Sequence, residues 1–303
     1  VVFFLMVYLP YFWWRHNYYG FLFPNSFYAK VGWDVNQVIR GFRYLVKFAI
    51  PSLMILLPMI DPIGISTWLK KYGKLSILPL IVCIYTIYII SVGGDPMPAL
   101  RFFTPIMPIF CIIFAMSIML IDNRRIVILV VLGTIIYNIA QLNFLYITPY
   151  IKFDKTVEYG REVGQWFAEN VPADAVIATN TAGSIPYYSR VRVVDMLGLT
   201  DLHIAHCEVS NMGSGWAGHE KADGEYILSR KPDYIQFFSS HGSVEPVFPS
   251  DKEIYKIPEF HKMYVLRELT LASGNRLWLY ERRRELDRPA STESPIQGPD
   301  LKR

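Results

Sequence analysis

The sequence predicts a multi-pass α-helical membrane domain of about five spans, followed by an extracytoplasmic α/β layered domain. Three observations carry this reading. The 303 residues are 52% hydrophobic and 15% aromatic, with a mean hydropathy of +0.25, which is more apolar than ordinary water-soluble chains. The excess lies almost wholly before residue 148, and the remainder has mixed charge punctuated by Gly and Pro; a shift of this kind marks a domain boundary. Beyond it, helical patterns alternate with short apolar runs, as in layered α/β domains. The expected organisation is a transmembrane helical domain over residues 1–148, an extracytoplasmic α/β domain over 149–284 and a disordered tail over 285–303.

Leu75 to Val92 and Ile126 to Ile147 carry no charged residue and are long enough to cross roughly 30 Å of hydrocarbon as helices. Pro105 to Ile121 is equally uncharged, and Tyr44 to Ile60 contains only Lys47, near enough to one end to reach the interface. Val1 to Trp14 is apolar and ends in Trp13 and Trp14, residues that suit an interfacial belt. The chain opens on Val1 without the charged start of a signal peptide, so the expectation is the C-terminal part of a longer protein.

Orientation follows from the loops. Lys70, Lys71 and Lys74 follow the second run, and Arg124 and Arg125 lie in the turn before the last; such cation-bearing loops are expected in the cytoplasm. Alternation then places residues 15–43, residues 93–104 and everything after 148 on the opposite face. Arg15, Lys30, Arg40 and Arg43 make the first external loop basic as well, which suits a bound anion.

In the C-terminal part, Phe153 to Asn170 has helical apolar spacing with Asp154 placed to cap it. Strands are expected at Ala175–Thr179, Val191–Asp195, Tyr234–Phe238, Met263–Leu266 and Leu277–Glu281, with a helix end at Gly224–Ser229. Cys83, Cys111 and Cys207 imply no disulfide framework. No basic stripe interleaved with aromatics points to nucleic acid. His203, His206, Cys207 and His219 are ligand types at spacings that fit no zinc pattern, and are read as scattered surface residues, so no metal site is expected.

Two loops hold most of the chemistry. The first, Arg15 to Asp34, is dense in aromatics and carries Asn25 and Lys30; the second, Gly93 to Phe103, carries Asp95 with Arg101 six residues on. Guanidinium and ammonium groups facing one another near a bilayer suit a phosphate ester. The same aromatics also suit an interfacial belt, and Asp95 with Arg101 also fits a solvated turn.

The run YYGFLFPNSFYAKVG (Tyr18 to Gly32) resembles the "YYG, PNT, AK" loop of bacterial polyprenyl-phosphate-sugar-dependent glycosyltransferases of the GT-C fold, above all the arabinofuranosyltransferase B type. VGGDPMPALRFFTPIMP (Val92 to Pro108) is similar to that family's "GGDFM, R, P" loop. IPYYSRVRVVDMLGLTD (Ile185 to Asp201), with GHEKAD (Gly218 to Asp223) and RKPDYI (Arg230 to Ile235), resembles its external C-terminal domain. Ser26 stands where the family often has Thr, and Pro96 where an aromatic is usual.

The resemblance implies transfer of a sugar from a polyprenyl-phosphate donor to a cell-envelope glycan or lipid acceptor at the outer face of the bacterial inner membrane. It also implies a catalytic acid in a loop upstream of Val1, so that the 303-residue chain alone is expected to be inactive. Tyr19, Asn25, Lys30, Asp95 and Arg101 become candidates for holding the donor or positioning substrate, and Asp201 and His219 for the acceptor. Whether a divalent metal assists is left open, as is the sugar. The competing expectation is a non-catalytic membrane protein whose external domain binds a glycan or partner. A lipid flippase needs polar residues within the spans, and these have almost none.

Overall fold

A computed structural model describes residues 2–32, 34–49, 70–144 and 155–283. The N-terminal part is helical: α1 (Val2–Tyr19), α2 (Asn25–Lys30), α3 (Val35–Ala49), α4 (Ile77–Ser91), a 3-10 segment Pro98–Ile106 running into α5 (Met107–Ile118), and α6 (Arg124–Phe144). Tyr44 and Phe48 of α3, Val82 and Ile89 of α4, Phe103 and Phe110 form one apolar cluster. Phe48 and Phe103 stack with ring centroids 3.8 Å apart. Gly94, at φ +71°, makes the turn after α4 in a conformation that side chains resist, and a Cβ there would lie 2.6 Å from the Tyr44 ring; only glycine fits both demands.

The five-span expectation is corrected by these helices. Among the described residues a single helical run, Leu100–Ile118 at mean hydropathy 1.8, is long and apolar enough to cross a membrane. An uncharged stretch of sequence is not a straight helix. Ile77–Ser91 is apolar but has 15 residues, about 22 Å at 1.5 Å per residue, and the chain turns at Gly93–Gly94 directly after it. The span expected at Pro105–Ile121 falls on that single run, which opens as 3-10 helix and ends its α-helix at Ile118. Residues 50–60 of the expected Tyr44–Ile60 span, the last three of Ile126–Ile147, the Asp154 cap and the 285–303 tail lie outside the described residues.

The C-terminal part is a five-stranded mixed sheet with helices on both faces. Its elements are α7 (Thr156–Asn170), β1 (Val176–Thr179), α8 (Ser184–Ser189), β2 (Arg192–Asp195), α9 (Leu202–His206), α10 (Gly224–Ser229), β3 (Tyr234–Gln236), α11 (Pro249–Lys256), α12 (Pro258–Met263), β4 (Tyr264–Thr270) and β5 (Arg276–Arg282). The strand order is β2-β1-β3-β5-β4. The first three strands are parallel, and β5 joins β3 antiparallel with β4 outside it.

Side chains alternate across each strand, so each face builds its own core. Ile177 and Tyr234 pack with Val163 and Phe167 of α7 and Ile185 of α8. Ala178, Val194 and Ile235 pack with Ile204, Ile227, Ile254 and Phe260 of α9 to α12. β3 stops at Gln236, short of the expected Phe238, because Phe238 adopts φ +59°, which no strand accommodates. β4 runs further than expected, to Thr270, since its pairing with β5 continues to Thr270↔Arg276.

Candidate functional site

In order 2-1-3 the chain leaves β1 in one direction and reaches β3 in the other, so the carboxyl ends of β1 and β3 flank the crevice where doubly wound folds hold ligands. Here the protein's own groups fill it. The Asn180 side-chain amide donates to Asp251 at 2.7 Å and accepts from the Ser250 hydroxyl, while the Thr179 hydroxyl donates to Gln236 at 2.9 Å. The other Asp251 oxygen takes the N–H groups of Phe238, Val247 and Phe248.

The loop after β2 turns outward instead, towards the helical part. Asp195 holds it by accepting from the N–H groups of Leu197 and Thr200 and from the Thr200 hydroxyl; burial nevertheless pushes its carboxyl up. Onto this loop docks Asn25, the first residue of α2. Its amide donates to the carbonyls of Gly198, Leu199 and Asp201 at 2.9, 3.3 and 3.2 Å.

Beside this contact a cavity of about 230 Å³ opens between three segments. Pro24, Ser26, Phe27, Lys30 and Val31 line one side; Tyr88, Val92, Gly94, Asp95, Pro96 and Phe102 line the other; Ala217 closes it from the α/β part. Asp95 is almost fully buried and forms a two-pronged ion pair with Arg101, Nε to Oδ2 and Nη2 to Oδ1, whose side chain stays half exposed. The Lys30 stem packs on Gly218, and no carboxylate among the described residues pairs with its ammonium. A cation with no carboxylate partner among the described residues, in a cavity with aromatic walls, can take an anionic headgroup. The volume is below the roughly 300–1,000 Å³ of drug-sized ligand sites, so it suits a headgroup rather than a whole lipid.

The structure thus brings Lys30 and Asp95 to one cavity, with Arg101 paired to Asp95 beside it, and assigns the other candidates elsewhere. Asn25 is a latch between the two parts of the chain. Asp201 caps α9 through Ile204 N–H and accepts the Tyr226 hydroxyl at 3.0 Å, so both its oxygens are engaged. His219 packs on Phe248 with centroids 4.7 Å apart; burial, and secondarily the nearby Lys30 charge, hold its imidazole below the usual histidine value, against the Ala217 carbonyl. Tyr19 is exposed at the end of α1, edge-on to Tyr18. Lys221 donates to the Cys207 carbonyl, away from the cavity, and burial lowers its ammonium.

Sequence reasoning missed the residues that hold the cavity's walls together. Gln37, fully buried, accepts from Gly32 N–H at 2.7 Å and donates to the Ser91 carbonyl at 2.9 Å. Arg40 pairs with Glu220 and donates to the Gly93 carbonyl. The Gln37–Ser91 and Arg40–Glu220 contacts join residues 54 and 180 apart along the chain, so no local pattern announced them; the hint was the basicity of the first loop, read as suiting a bound anion.

Sequence reasoning also left His203 and Cys207 as scattered surface groups, whereas the fold sets them beside Asp223. The His203 Nε2 lies 2.7 Å from Asp223 Oδ2, and the Cys207 thiol lies 3.9 Å from the same oxygen. Burial alone would raise the Asp223 carboxyl; the hydrogen bonds from His203, Tyr226 N–H and Cys207 outweigh it and hold the group low.

Residues 149–284 match the model of a family described as a domain of unknown function (DUF8728). Neither the comparison with curated proteins nor that with solved structures gives a match.

Proposed function

We propose that this chain supplies the phosphate-binding face of a glycosyltransferase that moves a sugar from a polyprenyl-phosphate donor to a cell-envelope glycan or lipid acceptor. The observation that carries the proposal is the cavity between the two resembling loops, where Lys30 has no carboxylate partner among the described residues and Asp95, in the opposite wall, is paired to a half-exposed Arg101. As the donor's glycosidic bond breaks, charge accumulates on the departing phosphate, and preorganised cations at that position stabilise it. Phe27, Tyr88 and Phe102 put apolar surface beside those charges, which strengthens the attraction.

Contact with lipid belongs to the same proposal. The α1 helix buries no residue, and Phe3 and Trp13 are 81% and 70% exposed; apolar surface on this scale is characteristic of membrane or partner contact. The proposed location is the bacterial inner membrane, with the α/β part outside the cytoplasm.

Asp95 serves to orient Arg101. Both its oxygens are engaged, so it is not free to take an acceptor proton. That same observation favours a second reading, a binder of lipid-linked sugars that does not transfer them, because Asp95 is the one carboxylate among the residues lining the cavity.

The test is transfer from a radiolabelled polyprenyl-phosphate sugar by membranes in which the chain is expressed together with the upstream loop expected to carry the catalytic acid. Asp95→Asn and Arg101→Ala are assayed alongside in that same context. Transfer that falls well beyond any loss of expression in both variants supports the transferase. Normal activity in both removes this cavity from the reaction. Binding of donor without transfer from any of several sugars supports the second reading.

A further inference from the structure

We propose that His203, Cys207 and Asp223 form a binding site for a divalent transition-metal ion of the zinc class, with a fourth position open to the adjoining cavity. The proposal stands apart from the glycosyltransferase reading. His203 lies in α9 and Cys207 caps its end, one turn apart, so both side chains leave the same face. Asp223 caps α10 and brings its carboxylate in from a second element. The three ligand atoms all lie within 4.8 Å of one another. Tetrahedral zinc with bonds of about 2.0–2.3 Å to N, O and S places its ligand atoms roughly 3.3–3.7 Å apart. The observed separations of 2.7 Å between Nε2 and Oδ2 and 3.9 Å between Sγ and Oδ2 straddle that span.

The ligands are held in position. Asp223 uses Oδ1 to accept the Tyr226 N–H at 2.8 Å, leaving Oδ2 to face His203 and Cys207. The His203 ring stacks on Tyr226 at 4.0 Å and 16°. Lys221, donating to the Cys207 carbonyl, fixes the backbone at the thiol. Supporting contacts of this kind set ligand orientation in metal sites. Thiolate and carboxylate together carry the two negative charges that balance a divalent ion, and imidazole, thiolate and carboxylate together match a zinc-class donor set.

A cysteine nucleophile activated by histidine accounts for the cluster less well. In that arrangement the carboxylate binds the imidazole nitrogen remote from the thiol. Here the same carboxylate oxygen faces both the imidazole nitrogen and the thiol, which is convergence on a point. Next to Cys207 and Asp223 lies a cavity of about 490 Å³ bordered by Glu208, Glu225, Glu253 and Lys256. Three protein ligands with one open position are the arrangement of zinc sites that bind water or substrate rather than closed structural sites.

The site is tested by dialysing the purified chain against chelator and titrating zinc in competition with a fluorescent indicator, then recording the cobalt(II) spectrum. The expected result is one ion per chain, with an intense thiolate-to-cobalt band that Cys207→Ser abolishes. His203→Ala and Asp223→Asn should weaken zinc by at least about tenfold, and zinc should raise the melting temperature of the wild type more than that of His203→Ala. Asparagine caps helices as well as aspartate, so Asp223→Asn removes the ligand without removing the cap, and circular dichroism checks that each variant is folded. Substoichiometric zinc in the wild type, a cobalt band that persists in Cys207→Ser, or unchanged affinity in His203→Ala would each overturn the proposal.

Discussion

Arg40 and Glu220 lie 180 residues apart in sequence, and Nη1 of one sits 2.7 Å from Oε2 of the other. The remaining Glu220 oxygen accepts the N–H groups of Gly213 and Gly215 at 2.7 and 2.8 Å, while Arg40 Nε donates to the Gly93 carbonyl at 3.1 Å. One carboxylate therefore ties α3 to the loop of Gly213 and Gly215 and, through Arg40, to the loop carrying Asp95, so that two of the three walls of the 230 Å³ cavity are held to one helix beside it. Removing one partner of a buried pair strands the other. Glu220→Ala is expected to cost about 3–5 kcal/mol, and Glu220→Gln, which keeps an acceptor for the two N–H groups, about 1–2 kcal/mol. Thermal unfolding of the two variants checks the order.

Asn25 presents amide hydrogens to three carbonyl oxygens. Asn25→Ala should cost about 1 kcal/mol and quicken hydrogen exchange over residues 20–31. Asn25→Asp should be worse than alanine, since a carboxylate there faces only acceptors. An aspartate variant as protected as the wild type contradicts the latch.

Asp251, fully buried, accepts from the Asn180 side chain and from three backbone N–H groups between 3.0 and 3.2 Å. Alanine leaves those donors orphaned in the switch-point crevice. A loss of about 3–5 kcal/mol is expected, read as a lowered urea midpoint.

His219 titrates below its unfolded value because it is buried beside Lys30. Between the two values the unfolded chain holds a proton that the folded chain does not, so stability rises with pH across that window. It is fully present above about 6.5, the ordinary histidine value, and falls as pH drops below it. Denaturation from pH 5 to 8 with His219→Gln as control should show the variant lacking part of the acid-side loss.

The sheet was legible where residue type and position agreed. Val193–Val194 and Leu277–Leu279 are apolar runs bounded by turns, and both lie in strands. Ends were less legible, because Phe238 looks like strand but takes positive φ. The helical part misled because an absence of charge says nothing of the Gly93–Gly94 turn or of the 3-10 segment that opens the region after it. At the site, Lys30, Asp95 and Arg101 were readable as loop cations and an acid. Glu220, Gln37 and the approach of Asp223 to His203 and Cys207 depend on contacts between distant segments, which spacing along one chain does not encode.

The most direct measurement is binding of a short-chain polyprenyl phosphate to the purified protein in detergent, compared with the uncharged polyprenol and repeated with Lys30→Gln. Lys30 supplies one charge-assisted bond, worth about 1.5–3 kcal/mol, so the variant should bind the phosphate at least about tenfold more weakly. The polyprenol should bind weakly to both proteins. Equal affinity for phosphate and alcohol, or a Lys30→Gln protein that binds the phosphate as the wild type does, would contradict a phosphate site in this cavity.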